Sequence, residues 1–130
     1  MEQKKTARYS VLVVDDEPGI RRMLIFALDP KDFEVLEAGD GLQALERLQR
    51  GRFHLVVTDM KMPNMDGMEL LREAKRKYPD VKVIMMTGYG TAEAEAAAFR
   101  EGAYGFVRKP FDMDKFCALL GKALAEIKRE

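Results

Sequence analysis

The sequence predicts an α/β domain organised around a parallel β-sheet. Three observations carry that expectation. Short runs rich in β-branched and apolar residues recur five times along the 130 residues, and segments with apolar residues at helical spacing lie between them. Each strand–helix unit is about as long as a parallel crossover requires. No internal repeat, low-complexity tract or Pro/Gly/Ser-rich linker divides the chain, so residues 1–130 are assigned to one domain with its core at 9–128.

The first strand is "YSVLVV" (9–14). Pro18, well placed at a helix start, then opens a segment with Ile20, Met23, Leu24, Ala27 and Leu28 on one face. The second is "FEVLEA" (33–38), before a helix with Leu42, Leu45 and Leu48. The third, "FHLVVT" (53–58), leads through a loop to Met68, Leu71 and Ala74. The fourth, "VKVIMMT" (81–87), precedes "TAEAEAAAFREGA", a helix that offers the core mostly alanine methyls and Phe99. The fifth is "AYGFVRK" (103–109), and the last helix carries Phe116, Leu119, Leu120, Ala123 and Ile127.

"VLVV", "LVV" and "VIMM" are apolar without interruption, as strands covered on both faces must be. "FEVLEA" alternates with Glu34 and Glu37, and "YGFVRK" carries a glycine and two cations, which suits edges protected by charge. Strands one, three and four are therefore placed inside and two and five outside. The resulting order, 2-1-3-4-5 with helices on both faces, is the flavodoxin-like (βα)5 arrangement, whose ligands sit beyond the carboxyl ends of the strands.

Composition narrows the function. The chain is 47% hydrophobic and 34% charged, with 22 basic and 22 acidic residues, which is no basic footprint for direct nucleic-acid binding. A single cysteine, Cys117, excludes an internal disulfide and suits a reducing compartment. "MEQKKTARYS" lacks the apolar core of a signal peptide, and no apolar run approaches a membrane span. The expectation is a soluble cytoplasmic domain without a membrane partner. Cys117 is expected to be a small buried residue, His54 is assigned no role, and the nine methionines are read as core and loop filler.

The strand ends carry the chemistry. Strand one runs into Asp15, Asp16 and Glu17; strand three stops at Asp59; strand four leaves Thr87 at its tip; strand five ends at Lys109. In the order above these tips are neighbours, about 4.8 Å apart. Singly each residue has an ordinary explanation: a helix N-cap for Asp15 or Asp16, turn chemistry for Thr87, a solvated edge charge for Lys109. Asp66-Gly67 is read as turn and helix-start chemistry. The conjunction is what demands more. Three packed aspartates repel unless cations join them. Lys109 supplies one charge, and oxygen ligands with room for water suit Mg2+ or Mn2+ rather than zinc. A carboxylate held beside such a cation can act as a nucleophile towards phosphorus, giving an aspartyl phosphate.

The stretches "VLVVDDEPGI", "GLQAL", "LVVTDMKMPNMDGMELL", "VIMMTGYG" and "GAYGFVRKPF" together make the sequence resemble the receiver domains of two-component response regulators, from strand one to the last helix. The resemblance implies that Asp59 accepts a phosphoryl group from a sensor histidine kinase or a histidine phosphotransfer protein. It implies that Asp16 and Asp59 ligate Mg2+ directly, that Asp15 holds a metal-bound water, and that the backbone carbonyl of Lys61 completes the protein ligands. Lys109 matches the lysine that pairs with the phosphoryl group, with a cis peptide to Pro110. Thr87 matches the switch hydroxyl. Phe106 stands at the aromatic switch position, where the family commonly has tyrosine. Lys61 and Tyr89 occupy the two positions that tend to govern loss of the phosphoryl group, and their bulk implies slow self-hydrolysis. The face formed by helix four, strand five and helix five is the expected output surface and the expected place for two protomers to pair.

Three rivals stand against a switch. One is a receiver-like module that is never phosphorylated, against which the complete acidic, threonine and lysine set argues. A metal-dependent phosphatase or phosphotransferase turning over through an aspartyl phosphate commonly wants Asp-x-Asp on the first strand, whereas this chain has adjacent Asp15-Asp16. A flavin carrier on the same fold wants a Ser/Thr/Gly-rich phosphate loop, and "DDEPGI" would repel a phosphate lacking a metal.

Overall fold

Strands and helices alternate in a computed structural model that describes residues 9–88, 90–109 and 112–129. In chain order they are β1 (Tyr9–Val14), α1 (Pro18–Ala27), β2 (Phe33–Ala38), α2 (Gly41–Arg50), β3 (Leu55–Asp59), α3 (Gly67–Lys77), β4 (Lys82–Thr87), α4 (Ala92–Arg100), β5 (Gly105–Arg108) and α5 (Met113–Lys128). All pairings are parallel and the sheet order is β2-β1-β3-β4-β5, as the sequence predicts. The N-terminal residues 1–8, Tyr89 and Pro110 lie outside the described residues, and with them the reading of the N-terminal stretch, the Tyr89 position and the cis peptide. Among the described residues no helix is long and apolar enough to cross a membrane.

Successive side chains of a strand face opposite sides, so an inner strand is apolar along its middle. Polar residues stand at its ends: Ser10 and Lys82 at the start, Thr58, Asp59 and Thr87 at the carboxyl tip. Leu12, Val14, Val56, Val83 and Met85 meet Ala44, Leu48, Leu70, Leu71, Ala74 and Ala98 of α2, α3 and α4. On the other face Val11, Val13, Leu55, Val57, Ile84 and Met86 meet Leu24, Phe116, Leu120, Ala123 and Ile127 of α1 and α5. The central strands are thus clamped from both sides, which makes their carboxyl tips a rigid platform.

β1 and β2 coincide with their predicted runs, and the other three ladders are shorter than theirs. β3 begins at Leu55 and extends through Asp59, and β5 spans Gly105–Arg108 only. His54, given no role from sequence, accepts a hydrogen bond from the Ser10 backbone N–H at Nδ1 (3.1 Å) and meets the Tyr9 ring edge-on. Its place is to tie the start of β1 to the approach of β3.

Three helix-face assignments are corrected. Leu42 is 53% and Phe99 45% exposed, and Cys117 is exposed rather than buried. In α2 the small residues Gly41 and Ala44 share the inner stripe with Leu48, which turns Leu42 outwards. In α4 only Ala98 is fully buried, and Phe99, about 100° further round the helix, points away. In α5 the stripe is Phe116, Leu120, Ala123 and Ile127, so the residue after Phe116 faces solvent.

Candidate functional site

The carboxyl ends of β1, β3, β4 and β5 bring the predicted cluster together. Asp15 follows β1 directly, Asp59 is the last residue of β3, Thr87 is the last of β4, and Lys109 follows β5. The Lys109 backbone N–H donates to the Thr87 carbonyl at 2.7 Å, which extends the β4–β5 pairing to the site itself. Asp15, Thr87 and Asp59 are buried, at 0%, 1% and 7% exposure, while Asp16 is exposed.

Lys109 spans the cluster. Its Nζ lies 3.2 Å from Asp15 Oδ2 and 3.4 Å from Asp59 Oδ1. Asp15 Oδ1 accepts from the Glu17 backbone N–H at 2.9 Å, and Asp59 Oδ1 accepts from the Met60 N–H at 2.9 Å. Asp15, Asp16 and Asp59 each present a carboxylate oxygen, and the three lie within 4.8 Å of one another.

The electrostatics are unbalanced. Burial and then repulsion from Asp15 hold the Asp59 carboxyl above the usual aspartate range, despite Lys109 and the Met60 N–H. Burial works against the charge of Lys109, but Asp15 and Asp59 together outweigh it and raise the ammonium pKa. Three carboxylates face one lysine. Their oxygen chemistry and uncompensated negative charge fit a hard divalent cation.

Local structure explains how the chain presents these groups. Asp66 caps α3 by accepting from the Glu69 N–H (2.9 Å), and the Glu69 side chain reaches back to the Asp66 N–H, a capping box that bears out the helix-start reading of Asp66-Gly67. Gly67 lies directly over the Asp59 backbone: an added Cβ would sit 2.2 Å from the Asp59 carbonyl oxygen. Asn64, at φ 70°, donates from Nδ2 to Asp40 Oδ2 at 2.7 Å and ties the β3–α3 loop to the start of α2. Asp40 itself caps α2, accepting from the Gln43 N–H.

Of the other predicted residues, Lys61 has an exposed side chain on that loop, two residues beyond Asp59. Phe106 is half-buried against the α2–α3–α4 core. Gly90 is packed among Thr87 Cγ2, the Phe106 ring and the Arg108 stem, each within 3.3 Å of where a Cβ would stand. Arg108 donates to the Gly90 carbonyl and to Glu95 Oε1, both at 3.0 Å. Sequence reading missed three residues that frame the site: Arg21, Asn64 and Asp40. No pattern flagged them, because each is a polar residue at a helix face or turn where polarity is ordinary. A groove of about 440 Å3 at the other end of the sheet, lined by Phe53, His54, Tyr78 and Val81 among others, carries none of this chemistry.

The model of the response regulator receiver domain matches residues 11–121. The chain is 38% identical to the regulatory protein AtoC of Escherichia coli K12 over 119 residues, which are 92% of this chain and 26% of that protein. It is 34% identical to the nitrogen assimilation regulatory protein NtrX of Azorhizobium caulinodans over 122 residues, 92% of this chain and 27% of that one. It thus spans about a quarter of the length of the curated relatives it matches. A solved response regulator receiver domain from Clostridium thermocellum superposes with a TM-score of 0.83 at 34% identity, covering 92% of this chain and 97% of the other. With Asp15, Asp16, Asp59, Thr87 and Lys109 drawn to one edge of a 2-1-3-4-5 sheet, the chain belongs to the response regulator receiver domains.

Proposed function

We propose that this domain is a phosphorylation-activated switch in which Asp59 is the phosphoacceptor and Lys109 and Thr87 assist the transfer. The observation that carries the reading is the position of Lys109 Nζ, shared between Asp15 and Asp59 at 3.2 and 3.4 Å. An oxygen of Asp59 attacks phosphorus as the bond from phosphorus to the donor's imidazole nitrogen breaks. Lys109, held charged by its two carboxylates, pairs with the phosphoryl oxygens as they arrive. The Thr87 hydroxyl donates to one of these oxygens once the group is in place. Burial and the neighbouring Asp15 disfavour an uncompensated charge on Asp59, which a cation bound beside it would offset. Asp16 and Asp59 with the Lys61 carbonyl, and Asp15 beside them, are the residues to hold Mg2+ (or Mn2+), which supplies countercharge to the incoming phosphoryl group.

The domain is read as assisting its own phosphorylation and dephosphorylation without being an enzyme in the sense of turnover on external substrates. The donor is a sensor histidine kinase or a histidine phosphotransfer protein in the cytoplasm. Movement of Thr87 is passed to α4 and β5, which pack on its loop through Gly90, Phe106 and Arg108. The α4–β5–α5 face is the output surface and the site at which two protomers pair. The names of the relatives, several of them transcriptional regulators, support a place in a longer regulator of transcription. Lys61 and Tyr89 set the lifetime of the phosphorylated form: Lys61→Ala and Tyr89→Ala are expected to speed dephosphorylation, and an unchanged rate would refute that role.

Mass measurement after incubation with Mg2+ and a small-molecule phosphodonor tests the central assignment. Wild type should gain one phosphoryl group and Asp59→Asn none. Equal uptake by Asp59→Asn would overturn the choice of acceptor, and continuous phosphate release from a generic phosphate ester would favour the phosphatase alternative.

A further inference from the structure

We infer that Arg21, on the second turn of α1, is a positioning residue for the acidic cluster: it fixes the peptide plane between Asp15 and Asp16. The inference rests on the reading of these aspartates as the cation site.

Its guanidinium is two-pronged. Nη1 donates to the Asp15 backbone carbonyl at 2.6 Å, and Nε donates to Glu37 Oε1 on β2 at 2.8 Å. The side chain is 20% exposed, so it lies along the protein rather than in solvent. Asp15 needs such a partner. At this point β1 has ended and α1 has not begun, so neither the ladder nor the helix claims its carbonyl. The other polar atoms of Asp15 are already committed: N–H to the Ala38 carbonyl (3.2 Å), Oδ1 to the Glu17 N–H (2.9 Å), Oδ2 to Lys109 (3.2 Å). Arg21 supplies the remaining constraint.

The consequence falls on Asp16. A peptide unit is planar, so holding the Asp15 C=O also fixes the N–H and the Cα of Asp16. Asp16 is exposed and gains no fixed orientation from burial. Its carboxylate reaches the cluster because the plane before it is pinned. The backbone from which the Glu37 carboxylate projects is fixed by the β1–β2 pairing, where Glu37 stands opposite Val13, and by Arg47, which donates to the Glu37 backbone carbonyl. The planar fork of arginine satisfies two acceptors in different directions, which the single ammonium of lysine on a flexible stem does not reproduce.

The test measures Mg2+ affinity by calorimetry, unfolding in EDTA, and the rate of phosphoryl uptake at limiting and saturating Mg2+. The variants are Arg21→Met, Arg21→Lys, Glu37→Gln and Arg22→Met, the last removing an equal charge from an exposed neighbour. Arg21→Met should weaken Mg2+ binding about tenfold, as loss of a group that orients a ligand does. The uptake rate should fall at limiting Mg2+ and return towards wild type at saturation. Arg21→Lys should recover only part of the affinity, and Arg22→Met should stay within about twofold of wild type. If Arg21→Met does not fold, Glu37→Gln, which leaves the Asp15 contact but loosens its anchor, should still weaken Mg2+ binding by about twofold to threefold. Affinity within twofold of wild type in Arg21→Met, or an equal loss in Arg22→Met, would overturn the inference. A wild-type protein that binds no Mg2+ and takes no phosphoryl group would instead refute the functional reading beneath it.

Discussion

Replacing Gly67 by alanine tests whether Asp59 is held by backbone packing rather than by its own side chain. The added Cβ would stand 2.2 Å from the Asp59 carbonyl oxygen and 2.8 Å from Met60 Cα, where ordinary contact begins near 3.4 Å. Both obstacles are backbone, so no rotamer change relieves them, and α3 must retreat from β3 by about 1 Å. In isolation the change would favour the helix, by up to about 1 kcal/mol. Overpacking costs about 1–3 kcal/mol, and a clash with backbone that no rotamer relieves belongs in the upper half of that range, so the expected net loss is about 1–2 kcal/mol. That corresponds to roughly 4 °C of Tm per kcal/mol for a domain of this size. Chemical denaturation in EDTA measures the loss, and calorimetry with Mg2+ reads the displacement of Asp59. The expected result is lower stability together with weaker Mg2+ binding. A Gly67→Ala protein as stable as wild type would show that the β3–α3 joint yields freely, and the account of Asp59 as rigidly mounted would fail.

In metal-free protein Asp59→Asn should be more stable than wild type near neutral pH, by an amount that vanishes as pH falls to the unfolded aspartate value of about 3.9, because burial and Asp15 raise the folded pKa and the folded state binds that proton more tightly. Denaturation at stepped pH in EDTA checks the sign, and Mg2+ at a hundred times its Kd should add about 2.7 kcal/mol to wild type and less to the variant. Burial and the hydrogen bond to Glu126 push the Tyr104 hydroxyl up to about 12, so its contribution is complete below the unfolded value of about 10 and lost as pH rises through 12. Tyr104→Phe should cost about 1 kcal/mol at neutral pH and abolish that alkaline loss in a pH-stepped melt. Arg108→Ala removes the bonds to Gly90 and Glu95 and should cost about 0.5 kcal/mol, seen as about twofold faster amide exchange across 90–98 with little change elsewhere.

The sheet and the acidic cluster were legible for one physical reason. A strand covered on both faces carries few polar residues along its middle, so "VLVV" and "LVV" mark the interior. The acids that follow, Asp15 directly and Asp59 after Thr58, mark the exit from it. Asp15 and Asp59 could be paired from sequence because strand order alone brings their tips together. The helix faces were harder to read. A search for large apolar residues chose Leu42 and Phe99, whereas the inner stripes are set by Gly41, Ala44 and Ala98, residues small enough to let a helix sit close to the sheet. Cys117 misled for a related reason: adjacency to Phe116 in sequence is a rotation of about 100° on a helix. Arg21 and Asn64 were invisible because their partners are a backbone carbonyl and a helix cap, contacts that leave no periodic trace.

With Phe99 turned outwards, α4 is fastened by Ala98, by partial burial of Ala94 and Ala97, and by the Arg108 bonds at its amino end. Each methylene missing from that interface forgoes about 0.8 kcal/mol of burial, so α4 is docked more weakly than α3, which buries Leu70, Leu71 and Ala74. Thr87 and Lys109 stand where β4 and β5 meet this weakly docked helix, joined by the bond from the Lys109 N–H to the Thr87 carbonyl. A new hydrogen bond at Thr87, worth about 1 kcal/mol, is therefore comparable with what holds the neighbouring loop in place. The same bond offered to the leucine-packed α3 would be too small to move it. If Asp59 is the acceptor as proposed, an alanine-rich fourth helix beside a leucine-rich third one would let the energy of one phosphoryl contact shift one element and leave the platform unmoved.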